Sequence, residues 1–248
     1  MHDFGRIFAV AALGVGSFVA GMPAHASLIL TASLFTPVTV PGTTTVIGVQ
    51  GITPPSQALI TRSGYTVSFS GVPSDQGVVQ GTLSSVHATP VAGVSGGNPE
   101  YLTGDFDSAL TTNIAASGNY LSTDLGTITI NFTGNQEALG ALWGSIDTGN
   151  MLTLLESGTP VGSVTGTQVQ MAASGFVSNG FQGPGGSAYV EINSTLPFNE
   201  IELTSSVVSF EIAGIVGSTS PITTPEPTSL MLLGAGLVGL GLIRRRRA

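Results

Sequence analysis

Apolar and polar residues alternate with a period of two along most of this chain. Tyr65-Thr66-Val67-Ser68-Phe69 places Tyr, Val and Phe on one face, and Thr127-Ile128-Thr129-Ile130-Asn131-Phe132 does the same with Ile, Ile and Phe. That is the pattern of a strand with one buried face. It predicts further strands over 29–35, 44–49, 78–86, 141–146, 151–155, 161–165, 168–172, 188–192, 200–204 and 207–215, the last with Val208, Phe210 and Ile212 in a core. Gly, Pro, Asn and Ser interrupt the pattern about every ten residues, and between the two ends no helical period outlasts a turn. The expectation is an all-β fold, an antiparallel β-sandwich over residues 27–217. One sandwich is favoured over two domains split near residue 115, because the first half offers few strands and little aromatic mass. The Gly-rich stretches 89–98 and 175–187 are expected to be surface excursions.

The two ends break the alternation. Residues 7–20 are almost wholly apolar or small, and Ala24-His25-Ala26 supplies the small-x-small pattern that signal peptidase accepts, so residues 1–26 read as a cleaved signal helix with Ala24 and Ala26 at the cleavage site. At the other end, a linker over 218–227 ends in Pro225-Glu226-Pro227. An apolar transmembrane helix over 228–243 follows, and then a basic cytoplasmic tail over 244–248 with Arg244, Arg245, Arg246 and Arg247. At about 1.5 Å per residue this helix reaches roughly 24 Å, short of a hydrocarbon core of about 30 Å. It can retain a precursor, with the arginines resisting translocation and snorkelling to the interface.

This tripartite tail resembles the PEP-CTERM sorting signal of exported bacterial proteins. The resemblance implies that exosortase, a membrane transpeptidase-like protease, reads Pro225, Glu226 and Pro227, and that the host is a Gram-negative bacterium. A second resemblance covers residues 116–217. Gly118-Asn119-Tyr120-Leu121-Ser122, Leu142-Trp143-Gly144-Ser145-Ile146-Asp147, Tyr189-Val190-Glu191-Ile192 and Ser209-Phe210-Glu211-Ile212-Ala213-Gly214-Ile215 occur in the order typical of exosortase-dependent surface proteins with a jelly-roll ectodomain. Ala213-Gly214 stand where that family has Asp-Asn, which removes a carboxylate and an amide from any site built on the last strand.

Charge narrows the function. Residues 27–224 contain one basic side chain, Arg62, against twelve acidic ones, a formal charge of −11. Nucleic acid is excluded as a partner, because binding phosphates requires a cationic patch. Without cysteine the exported domain has no disulfide and must rest on its core. Gly93-Val94-Ser95-Gly96-Gly97 fits a hydrolase nucleophile pattern, but its flanks are Gly and Pro and no His follows it. His87, the one imidazole of the mature chain, is expected at the surface or a strand edge. Asp105 and Asp107, with Asp124 and Asp147, are the candidate calcium ligands; the competing reading is that they begin turns. Glu200 and Glu202 alternate against Ile201 and Leu203 as a solvated strand face, and Trp143 is expected in the core rather than as a sugar-stacking platform. The sum is a non-enzymatic exported surface or extracellular-matrix protein. Signal peptidase, exosortase and the membrane are its partners, and extracellular polysaccharide is a further candidate. The alternatives are a carbohydrate-binding module of the exopolysaccharide matrix and, more remotely, a secreted hydrolase.

Overall fold

The computed structural model describes residues 26–34, 44–49, 51–90, 118–177, 180–182, 185–206 and 209–220. Eleven strands and one helix follow one another: β1 (Leu28–Ser33), β2 (Thr44–Ile47), β3 (Ile60–Arg62), β4 (Tyr65–Ser70), β5 (Gly77–Gln80), β6 (Asn119–Thr123), β7 (Thr127–Gly144), β8 (Asn150–Glu156), β9 (Thr159–Thr165), α1 (Gly166–Ala172), β10 (Ala188–Ser205) and β11 (Phe210–Ser218). All the strand pairings are antiparallel. The all-β expectation holds. The signal helix and the sorting helix lie outside the described residues, and no described helix is long and apolar enough to cross a membrane.

Two long strands, β7 and β10, organise the molecule. Their first paired stretch, Ala138–Trp143 against Ala188–Asn193, lies between β11 on one side and β1 on the other. Their second, Thr127–Asn131 against Glu200–Thr204, lies between β4 and β8. The register breaks between Asn193 and Glu200. Gly134 of β7 and Pro197 of β10 sit in this break; Pro cannot donate to a ladder, and Gly leaves the backbone free to turn. Each long strand therefore serves two layers. The first is β5-β6-β11-β7-β10-β1, with β2 taking up the edge of β11 beyond β6; the second is β3-β4-β7-β10-β8-β9.

The layers share one core. Ile128, Ile130, Leu152, Leu154, Ile201 and Leu203 from the second layer join Leu139, Ala141, Trp143, Val190, Ile192, Phe210 and Ile212 from the first. Trp143 is fully buried and stacks on Phe210 with ring centroids 4.3 Å apart. A stacking platform for a sugar is thereby ruled out for this residue. Leu28 of β1 packs on Gly162 of β9, and the amide of Ala26 donates to Val161 O at 2.8 Å, so edge strands of the two layers meet. The outer face of the first layer is covered as well, by a second cluster of Val79, Tyr120, Leu142, Tyr189, Ala213 and Val216.

Several expectations are corrected. The pairs 127–132 with 141–146, and 188–192 with 200–204, are each halves of one strand. The polar runs Thr133-Gly134-Asn135-Gln136 and Asn193-Ser194-Thr195 end the alternation without ending the backbone pairing. The strand expected over 78–86 stops at Gln80, and residues 168–172 are helical. There Thr165 caps α1 by accepting from the Gln168 amide while the Gln168 side chain accepts from the Thr165 amide. This reciprocal capping box outweighs five residues of alternation. Strands β3 and β6 were not anticipated.

Candidate functional site

One end of the first layer gathers most of the buried polar groups. Here β6 ends, β7 ends and β11 begins, with Phe210 opposite Thr123 and Glu211 opposite Gly144. Both faces of β11 are covered, so the side chain of Glu211 enters the interior and is 1% exposed. Glu211 Oε1 accepts from the Ala88 amide at 2.9 Å, and Oε2 accepts from the Ser145 hydroxyl. Burial pushes this carboxyl up to about 7 against those hydrogen bonds, and the nearby Asp147 adds to the rise.

Asn150 ties the same corner together. Its Oδ1 accepts from the Asp147 amide at 2.9 Å and the Trp143 indole at 3.4 Å. Its Nδ2 donates to Ser205 Oγ at 3.1 Å and Ser209 O at 3.3 Å. Four chain segments are thus fixed by one amide that is 1% exposed. The segment after β5 is held down in parallel, since Val86 O accepts from Gln76 Nε2 at 2.8 Å and from the Ser209 hydroxyl.

These segments enclose a cavity of about 340 Å³. Asp147, Ser145 and Ser209 form its wall on the β7 and β11 side, Asp124 comes from the β6–β7 turn, and Ser85 with Val86 from the turn after β5. Gly180 and Gln182 complete it. The excursion expected over 175–187 is therefore part of the wall: Gly180 N donates to Ile146 O at 3.1 Å and Ile146 N to Gly186 O at 2.9 Å. Ser85 at φ 65° and Ser145 at φ 33° are non-glycine residues in the left-handed region, and both line this cavity. Backbone of this kind persists only where the surroundings impose it.

Asp147 is the exceptional group. It is 4% exposed, a Cβ at Gly180 would come within 3.0 Å of its Oδ1, and its carboxylate accepts no hydrogen bond from a described residue. Desolvation pushes it up to about 6. Its backbone carbonyl meanwhile accepts from Asn150 N at 3.1 Å, so the turn role expected of it is met by main-chain atoms.

The ion-site candidates divide. Asp124 and Asp147 line the same cavity, whereas Asp105 and Asp107 lie outside the described residues. Among the described residues no group of three or more His, Asp or Glu is arranged to hold a metal ion. Glu200 and Glu202 are half-buried beside fully buried Ile201 and Leu203. The surface reading of His87 is overturned: it is 6% exposed, with Nδ1 2.6 Å from the Tyr120 hydroxyl, which itself donates to Gly81 O. His87 and Tyr120 thus form a buried hydrogen-bonded pair. Burial lowers the His87 pKa in keeping with this. Glu211 was not anticipated as part of a site. Its signal was a lone carboxylate in Phe210-Glu211-Ile212-Ala213-Gly214-Ile215-Val216, where flanking residues are apolar in both alternating sets.

Ala24, Pro225, Glu226, Pro227 and Arg244 to Arg247 lie outside the described residues, while Ala26 is half-buried at the start of β1. A family model described as the PEP-CTERM protein-sorting motif matches residues 223–247, beginning just past the end of β11 at Ser218. The chain carries a PEP-CTERM sorting motif. Such a motif marks an exported protein whose precursor is membrane-anchored and processed by exosortase. No curated protein matches this PEP-CTERM chain. From Glu211 beside the cavity to Ser218, β11 carries the backbone about 22–24 Å at strand rise. The cavity is therefore at the end of β11 opposite Ser218, after which the chain runs on to the motif.

Proposed function

We propose that this PEP-CTERM protein is a non-enzymatic component of the surface or extracellular matrix of a Gram-negative bacterium, with a jelly-roll-like ectodomain released from its tail by exosortase. The observation that carries the reading is the motif match over residues 223–247, directly after the last strand. Four residues, 219–222, separate the end of β11 from the matched motif, which supports a folded domain held close to the membrane until processing. A non-enzymatic role is supported by the engagement of His87, whose ring is buried against Tyr120 rather than presented to a nucleophile. A charge of −11 over residues 27–224 supports a soluble, self-repelling product after cleavage. The carbohydrate-binding reading is favoured by one observation, the polar cavity.

The test is the fate of the tail in cells. Replacing Glu226, or both Pro225 and Pro227, by Ala should leave full-length precursor in the membrane fraction. Replacing Arg244 to Arg247 by Gln should instead weaken retention and orientation, because the positive-inside bias is lost from a short helix. Mass spectrometry of surface material should find ectodomain peptides up to about Pro225 and none from Leu230 onward. Mature extracellular protein with an intact arginine tail would show a plain anchor and refute processing.

A further inference from the structure

We propose that the cavity between Asp124, Asp147 and Ser209 is a binding site for one amine-bearing sugar residue, its ammonium group paired with the Asp147 carboxylate. Three independent features lead there. A carboxylate that is 4% exposed and accepts no hydrogen bond from a described residue faces the cavity. A desolvated carboxylate of this kind gains more than an exposed one from a ligand that supplies a positive donor. The volume, about 340 Å³, far exceeds what an ion needs and lies within the range of small-molecule sites. The remaining polar lining is hydroxyl and amide: Ser85 and Gln182 can donate and accept, while the Ser145 and Ser209 hydroxyls, whose protons go to Glu211 and Val86 O, can accept from the hydroxyls of a sugar ring.

Charge sets the ligand class. Among the described residues, the charged groups around the site are Asp147 itself, Glu211 behind it on β11 and Asp124 in the β6–β7 turn, and no lysine, arginine or histidine lines the cavity. Uronates and phosphorylated sugars would add like charge to three carboxyl groups and are rejected. A neutral sugar satisfies the hydroxyls but leaves the carboxylates repelling each other. An amino sugar does both, and a domain of charge −11 attracts a polymer of such residues at long range.

The full-length chain in detergent would be titrated at pH 7 with glucosamine oligomers, N-acetylglucosamine oligomers, glucose, glucuronate and calcium chloride, by calorimetry and by thermal melting. Glucosamine oligomers should bind at least tenfold more tightly than the acetylated oligomers and raise the melting temperature, while glucuronate should not bind. The affinity should fall between pH 7 and pH 5 as Asp147 takes up a proton, with Glu211 protonating over the same interval. Asp147→Asn should weaken binding at least tenfold. Gln182→Arg, at an exposed position of the rim, should do the same without disturbing the core, and so covers the case in which Asp147→Asn does not fold. The proposal is overturned if glucosamine oligomers do not bind, if glucose or the acetylated oligomers bind equally well, if the variants bind like the wild type, or if calcium alone binds and Asp147→Asn abolishes it. Tail processing in cells is unaffected by any of these results, so failure here leaves the sorting assignment standing.

Discussion

Stability of the ectodomain should fall as pH rises from about 4.5 to 7, and Glu211 should be the main cause. Its carboxyl sits on β11 with both faces of the strand covered, and burial raises it from the ordinary 4.5 to about 7. The folded state therefore holds this proton more tightly than the unfolded chain does. Below about 4.5 both states are protonated and no cost is present; above about 7 both are ionised and the whole cost is. The rise corresponds to about 3 kcal/mol, and for a domain of this size that is a change of about 6–12 °C in melting temperature. Asp147, raised from 3.8 to about 6, adds a contribution of the same sign over the lower part of the interval. Glu211→Gln isolates the effect. The amide keeps an oxygen for the Ala88 N–H, and its nitrogen can donate to the Ser145 hydroxyl, which reverses to accept. The variant should be more stable than the wild type at pH 8, about equal at pH 4.5, and its remaining fall with pH should shrink when Asp147→Asn is added, leaving the smaller contributions of Glu191, raised by burial, and of His87, lowered by burial and opposite in sign. Melting curves by circular dichroism at pH 4.5, 6, 7 and 8 measure all of this. A wild-type profile that is flat or rises with pH, or a Glu211→Gln profile parallel to it, would refute the buried-carboxylate argument.

Two other substitutions test the corner that supports the cavity. Asn150→Ala removes one amide from Asp147 N, the Trp143 indole, Ser205 and the Ser209 carbonyl, and should cost about 2–4 kcal/mol in denaturant unfolding, since the groups left behind are buried. Gly166→Ala would place a Cβ 1.8 Å from the Asp147 carbonyl oxygen, so backbone must move. It should lower the melting temperature by several degrees, at about 1–3 kcal/mol for such overpacking, and weaken any ligand held by Asp147.

Local chemistry written in the residues determined a good deal of this protein. Alternation at 65–69 and 127–132 is a property of the strand itself, so these elements and the all-β class were legible, and so was Trp143 as core. The sorting tail was legible for the same reason: Pro225-Glu226-Pro227, the apolar run and four arginines act in sequence order and need no tertiary partner. The tertiary structure decided what depends on pairing over distance. That β7 and β10 continue through polar interruptions follows from their pairing with each other, which no window of one strand contains. The burial of Glu211 and His87 follows from what covers the outer face of the first layer. Asp124 and Asp147, twenty-three positions apart, line one cavity because the end of β6, the end of β7 and the start of β11 are neighbours in one sheet. A side chain's residue type is local, but its solvation is set by segments far away in the chain, and it is solvation that turns an ordinary turn aspartate into a desolvated carboxyl group lining a cavity.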